Sequence, residues 1–182
     1  LFVAEACEYD KTFLNLSPKI GVITNIDEDH LDYYKNIQGI TDAFSEFATL
    51  IPQDGLLVVY DDDENIKKAI KNVRCQVARY SVVLACDNKQ KAFLSDSDSF
   101  RSAPGALTNE FPCAVFGKSE KRWLAIVQDF DKARTLFSVY NDRGFFGSFC
   151  LQLPGMHNVK NALAAITVCS NIGLRANVIE NA

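Results

Sequence analysis

No two cysteines in this sequence are spaced C-x-x-C, and only two histidines accompany the six cysteines at 7, 75, 86, 113, 150 and 169. That set argues against a structural zinc centre, which draws four ligands from Cys and His at close spacings. Most of the cysteines stand in apolar runs, where a thiol acts as a small buried hydrophobe. The compartment this implies is reducing, hence cytoplasmic. Positive charge is also scarce. Nineteen Lys and Arg against 23 Asp and Glu leave a formal net charge of -4, which argues against a general nucleic-acid or anionic-membrane binder. One small anionic ligand held in a local basic or metal-loaded site is still allowed. No apolar run approaches the roughly 20 residues of a membrane span, and no signal peptide is visible. Internal repeats and long runs of like charge are absent too.

What is present is an ordinary globular composition, 48% hydrophobic and 23% charged over 182 residues. That length supports one core with room for a small appended subdomain. The chain opens on Leu1-Phe2-Val3-Ala4, which reads as a strand already under way with no initiator Met. It stops at Glu180-Asn181-Ala182 within a helical pattern. The expectation is a fragment of a longer protein.

The first half alternates strand and helix. Short apolar runs at 1–4, 20–24 and 56–60 predict strands buried on both faces, as in a parallel sheet. Ile40, Phe44, Phe47, Ala48 and Ile51 recur at helical spacing, and Pro52 closes that segment. Asp61-Asp62-Asp63-Glu64 precedes a helix running to about Asn72, and these acids are read as N-cap and first-turn residues without chemistry of their own. Residues 76–84 predict another strand. The stretch 95–109, rich in Ser and Asp with Pro104-Gly105, reads as a loop or insertion. Strand-like segments near 111–117, 122–128, 134–140 and 145–151 follow, separated by short polar turns, as in an antiparallel meander. Pro154-Gly155 then opens a helix whose apolar face comprises Val159, Leu163 and Ile166 with Ala162, Ala165 and Cys169. The fold class is α/β: a mainly parallel sheet flanked by helices, with an appended antiparallel β patch.

Two polar clusters stand out. In open α/β sheets ligands collect beyond the carboxyl ends of strands, and both Val3-Ala4-Glu5-Ala6-Cys7-Glu8 and Thr24-Asn25-Ile26-Asp27-Glu28-Asp29-His30 follow predicted strands. If those strands are neighbours, Glu5 and His30 face one crevice. A carboxylate, an imidazole and waters suit Mg²⁺ or Mn²⁺ beside substrate phosphates, and the ion removes the repulsion among the acids. Spacing alone equally fits solvated helix caps and a hydrogen-bonded structural histidine. The second cluster is Leu153-Pro154-Gly155-Met156-His157-Asn158-Val159-Lys160-Asn161. His157, Asn158 and Asn161 fall within about one helical turn. Asn can pair two-pronged with the N6/N7 edge of adenine, and imidazole can stack on a base. Against this stands a capping role for Asn158 and a plain surface role for Asn161.

Taken in order and at these separations, V-A-E-A-C-E-Y-D, T-N-I-D-E-D-H-L-D and L-P-G-M-H-N-V-K-N-A-L-A-A resemble the central, ATP-binding domain of the Mur ligases over nearly the whole chain. The E-A-C-E-Y form is similar to the branch that adds L-alanine to UDP-N-acetylmuramate. The resemblance implies a P-loop-type α/β domain in an ATP-dependent, amide-forming ligase of peptidoglycan precursor synthesis. The lactyl carboxylate of UDP-N-acetylmuramate would be phosphorylated to an acyl phosphate and then attacked by the amine. The resemblance further implies that Glu5 and His30 bind magnesium or manganese and are catalytic, and that His157, Asn158 and Asn161 hold the adenine end of ATP. Thr24, Asn25 and Asp29 would have a supporting role near the substrate. Where sister ligases carry a metal-supporting carbamylated lysine, Phe44 stands here, again as in the alanine-adding branch.

The family's phosphate loop, of the G-x-x-G-K-[ST] kind, does not occur in these residues. It is expected upstream of Leu1, and the C-terminal ligase domain after Ala182, so the fragment alone is expected to be inactive. Its partners would be those missing domains and the small-molecule substrates, with neither nucleic acid nor membrane. Two alternatives remain: a muropeptide-recycling or other Mur-type ligase, and a non-catalytic nucleotide-binding module that kept the fold and lost the chemistry.

Overall fold

Residues 1–85, 121–130 and 133–182 are described by the computed structural model, and they divide into two units, Leu1–Val77 and Ala78–Ala182. The loop expected at 95–109 and the strand expected at 111–117 lie outside the described residues.

The first unit begins with a correction. Residues 1–4 form no strand, and Leu1, Phe2 and Val3 are 99%, 90% and 81% exposed. A strand needs a neighbour to pair its backbone groups, and no described strand pairs with this run. The first regular element is instead a 3-10 segment, Tyr9–Asn15, kinked where Asp10 and Lys11 adopt positive φ. Phe13 anchors it. Its ring stacks on Phe47 at 5.1 Å and meets Phe44 edge-on at 5.3 Å, while its amide and the Thr12 hydroxyl both donate to the Cys7 carbonyl.

Strand β1 (Ile20–Ile23) pairs in parallel with β2 (Leu56–Tyr60), Ile20 opposite Leu56 and Ile23 opposite Val59. Leu56 to Val59 are all buried, as a strand covered on both faces requires. In β1 burial alternates and Val22 is 41% exposed, so only one of its faces is packed. Helix α1 (Leu31–Tyr34) and helix α2 (Ile37–Leu50) connect the two strands. The Asn36 side chain caps α2 by accepting from the Gly39 amide, and Ile40, Ala43, Phe47 and Ala48 form its buried face. Helix α3 (Glu64–Ala69) is N-capped by Asp63, as the run of acids predicts, although it ends before Asn72. These elements share one core with Phe13, Ile23, Ile26, Tyr34, Leu57, Val59 and Ile66.

The second unit begins within β3 (Gln76–Leu84), which pairs in parallel with β4 (Lys121–Phe130) from Ala78 opposite Lys121 to Leu84 opposite Val127. Strand β4 runs antiparallel to β5 (Thr135–Asn141), and β5 antiparallel to β6 (Gly144–Leu151). Parallel pairing thus gives way to the expected antiparallel patch at β4, making a mixed sheet flanked by helices. Helix α4 (Met156–Asn171) packs on β4 and β5, and helix α5 (Ala176–Glu180) on β6. The buried face of α4 is Val159, Leu163, Ala164, Ile166 and Thr167; Ala165, expected inside, is exposed. Among the described cysteines only Cys75 is buried, while Cys7 and Cys150 are exposed, so apolar neighbours in sequence overstated their burial.

Candidate functional site

The loop after β1 is held from below. Asp63 accepts from the amides of Asn65 and Ile66 with Oδ1, and from the Ile26 amide with Oδ2 at 3.0 Å. Asn65 returns a bond to the Ile26 carbonyl at 3.2 Å. Ile26 is 3% exposed, so this point of the loop is fixed both by packing and by two backbone bonds. Thr24 and Asn25 bond to each other, hydroxyl to amide oxygen, at 3.1 Å.

Beyond Ile26 the chain turns back on itself. Asp27 and Asp29 each accept the amide of the following residue. His30 then takes the left-handed conformation, φ 52° and ψ 41°, at the start of α1. A non-glycine residue in that region costs about 1–3 kcal/mol. It is kept there because the His30 carbonyl accepts both the Tyr33 and the Tyr34 amides, each at 3.0 Å.

The turn brings the imidazole between two carboxylates. His30 Nε2 lies 3.7 Å from Glu8 Oε1, and Nδ1 lies 3.8 Å from Asp29 Oδ1. Both separations exceed a hydrogen bond, so one ring nitrogen and the Glu8 carboxylate are open to a cation, while Asp29 Oδ1 already accepts the His30 amide at 2.7 Å. One ligand atom each from Glu8, Asp29 and His30 lies within 4.8 Å of the other two. On an octahedral magnesium with ligands at about 2.1 Å, neighbouring ligands stand roughly 3 Å apart and opposite ones roughly 4.2 Å, so the three groups must draw together to seat the ion. Carboxylate oxygens with one imidazole are a donor set that Mg²⁺ and Mn²⁺ accept. The residues present therefore fit such an ion.

The acid beside His30 is thus Glu8, whereas the sequence pointed to Glu5. Glu5 is exposed and does not belong to this group. The expected neighbour strand at 1–4 is not formed, and Glu8, half-buried at the start of the 3-10 segment, is the acid that stands beside the imidazole. Asp29, given only a supporting role by sequence, stands in the group; Thr24 and Asn25 do not.

Aromatic rings close the surroundings. Tyr9 meets the His30 ring edge-on at 5.0 Å and lies 6.1 Å from Tyr33, which meets Tyr34 at 4.9 Å. Tyr34 is 6% exposed, and its hydroxyl donates to the Glu8 carbonyl. Burial pushes the Tyr34 phenol up from its ordinary pKa, keeping it a donor. Phe44 packs edge-on against Phe13 and adds hydrocarbon to these surroundings.

The other predicted residues lie in the second unit, at the opening of α4. Gly155 precedes the helix at φ 107°, which favours glycine, and a Cβ there would stand 2.8 Å from His157 Cε1. The imidazole folds over that glycine while remaining exposed. Asn158 donates its amide to the Pro154 carbonyl at 2.7 Å. A two-pronged contact from Asn158 to a base therefore requires releasing that bond. Asn161, one turn on, is exposed, and its position shares a face with His157 and Asn158. Thr135, fully buried, donates to the Leu153 carbonyl at 3.1 Å and ties the turn to β5.

Comparison with known proteins adds to this geometry. The family described as the Mur ligase middle domain matches residues 1–169. The chain is similar, with 36% identity over 99% of its length, to UDP-N-acetylmuramate–L-alanine ligase of Clostridium kluyveri, of which it covers 32%. Among solved structures it resembles the UDP-N-acetylmuramate:L-alanyl-gamma-D-glutamyl-meso-diaminopimelate ligase from Neisseria meningitides. That match has TM-score 0.62 and 18% identity, covering 93% of this chain and 40% of that one. It also resembles a MurF ligase from Thermotoga maritima in complex with ADP, with TM-score 0.53 and 13% identity, covering 86% and 28% of the two chains. The two structural likenesses concern the fold. The chain spans about a third of the length of the curated relative.

Proposed function

Because this chain belongs to the Mur ligase family, we propose that it is the ATP-binding part of a ligase that joins L-alanine to the lactyl carboxylate of UDP-N-acetylmuramate in peptidoglycan precursor synthesis. The preference for L-alanine is supported by the 36% identity to an alanine ligase and by the E-A-C-E-Y stretch. The γ-phosphoryl group of ATP passes to the carboxylate, giving an acyl phosphate and ADP. The amine of L-alanine attacks that carbonyl, loses a proton, and the tetrahedral intermediate expels phosphate.

The observation that carries the reading is the convergence of Glu8, Asp29 and His30 within 4.8 Å beyond β1. In the proposed site these three hold Mg²⁺ or Mn²⁺, and the ion offsets the charge of the phosphates when bound. Tyr9 keeps the imidazole in place through its edge-on contact. His157 and Asn161, with Asn158 once its local bond is released, hold the adenine end of ATP. Thr24 and Asn25 support the loop. Glu5 remains the ligand implied by the family resemblance, and mutation separates it from Glu8. The proposed compartment is the cytoplasm, supported by the free thiols of Cys7, Cys75, Cys150 and Cys169. No helix among the described residues is long and apolar enough to cross a membrane.

The test is an assay of the gene product that carries this chain, with UDP-N-acetylmuramate, ATP and L-alanine, following ADP and the amide product. Glu8→Gln and His30→Ala should each reduce turnover at least 100-fold at limiting magnesium, and Glu5→Gln tells which acid is the ligand. Asn161→Ala should raise the KM for ATP with little change in kcat. Turnover only with a free tripeptide as acceptor identifies the recycling branch instead. ATP binding without any turnover identifies a binding module.

A further inference from the structure

Among the described residues of the first unit, one side chain connects the two halves of the candidate metal site without pointing a ligand into it. Glu8 and His30 come from segments more than 20 residues apart in sequence. Tyr34 touches the backbone of both. Its amide donates to the His30 carbonyl at 3.0 Å, and its hydroxyl donates to the Glu8 carbonyl. The Glu8 carbonyl also accepts the Lys11 amide at 3.0 Å, so the Tyr34 hydroxyl joins a backbone turn instead of a mobile side chain. The Tyr34 ring is 6% exposed and belongs to the unit's core. Its own backbone is fixed from the far side, because Asn36 N donates to the Tyr34 carbonyl at 2.8 Å and Gly39 packs against the same oxygen.

We propose that Tyr34 is a positioning residue for metal binding: its buried hydroxyl holds the Glu8 turn at the distance from His30 that lets both reach one divalent cation. The inference rests on the metal reading given above. Without that bond the segment before Phe13 retains its anchor at the Cys7 carbonyl. The Glu8 carboxylate then loses its fixed height above the imidazole, and the cost of ordering it falls on metal binding. Partners that orient metal ligands are worth about 10–100-fold in affinity.

The probe is Mn²⁺ alone, titrated into the protein and followed by electron paramagnetic resonance, with thermal unfolding measured on each variant. Tyr34→Phe keeps the ring and removes the hydroxyl, and it should weaken Mn²⁺ binding about tenfold. Val59→Ala, a core truncation in the same unit, should lower stability and leave the Mn²⁺ affinity within twofold of wild type. His30→Ala should abolish site-specific binding. If Tyr34→Phe binds like wild type while His30→Ala does not, the positioning role is wrong and the metal site stands. If wild type and His30→Ala bind equally, the metal reading falls and takes this inference with it. Wild-type hydrogen exchange covers the case in which Tyr34→Phe does not fold. Saturating Mg²⁺ should slow exchange at the Lys11 and Tyr34 amides, since a ligand that needs the ordered arrangement stabilises it. Unchanged exchange there overturns the proposal.

Discussion

Asp63 serves two separate parts of the first unit, and the two services can be separated by mutation. Its Oδ1 caps α3 through the amides of Asn65 and Ile66 at 2.8 and 3.0 Å, while Oδ2 takes the Ile26 amide. Asp63→Ala removes all three bonds. Loss of the cap costs about 1 kcal/mol, and leaving the buried Ile26 amide without a partner costs about 1–3 kcal/mol, so the sum is about 2–4 kcal/mol. Asp63→Ser restores the cap but is too short for Ile26, and should be about 1 kcal/mol more stable than the alanine variant. The single tryptophan, Trp123, lies in the other unit and is no local probe of this loop. Urea unfolding followed by far-ultraviolet circular dichroism, with exchange rates of individual amides, is the appropriate assay. In Asp63→Ser only the Ile26 amide should lose protection; in Asp63→Ala those of Asn65 and Ile66 should lose it as well. Equal stability of both variants and wild type, within about 0.5 kcal/mol, would refute the reasoning.

Further predictions concern single contacts. Gly39 lies inside α2, where alanine ordinarily stabilises by about 1 kcal/mol, yet a Cβ there would stand 2.6 Å from the Tyr34 carbonyl oxygen. Gly39→Ala should therefore lower stability by about 1–3 kcal/mol, and a raised melting temperature would contradict the close approach. Burial, with Asp62 and Asp63 adding to it, pushes the Tyr60 phenol up to about 12. The folded state then keeps its proton where the unfolded chain, near 10, has lost it, so stability falls as pH rises from about 10 to 12. Tyr60→Phe should flatten that limb of the stability profile, and an unchanged slope would count against the shift. Thr135→Val should cost about 1 kcal/mol by orphaning the Leu153 carbonyl, whereas Thr135→Ser, which keeps the hydroxyl, should recover most of it.

The elements that could be read from sequence were those written in local pattern. The four consecutive buried residues of β2, the helical stripe from Ile40 to Phe47 and the acid cap before α3 each depend on neighbours within a few positions. The polar turn ahead of Gly144 likewise announced the β5–β6 hairpin. Residues 1–4 misled because an apolar run states only that a strand could form there. Pairing needs a partner that the run itself does not specify. That Glu8, not Glu5, stands beside His30 was hidden for the same reason. Both acids stand in one short motif, and the kink at Asp10 and Lys11 that follows them leaves no mark in composition. The reach of Asp63 to Ile26 and of Tyr34 to Glu8 spans 37 and 26 residues, beyond any periodicity. Asn158 shows the converse: its type suggested a ligand contact, and the fold gives its amide a local carbonyl.

Every non-glycine residue at positive φ among the described residues, Asp10, Lys11, His30 and Lys35, lies in the short stretch that surrounds the candidate ligands. Each is a standing cost that random substitution could relieve, by glycine or by asparagine, with no loss to the core. Genetic drift should therefore erase such torsions quickly wherever nothing opposes it. In a lineage that had abandoned the site, these four positions should be among the first to relax, well before Phe13 or Val59 changed. A family tree of this unit would then date the loss of its chemistry from its backbone, even in branches where the histidine itself had not yet been replaced.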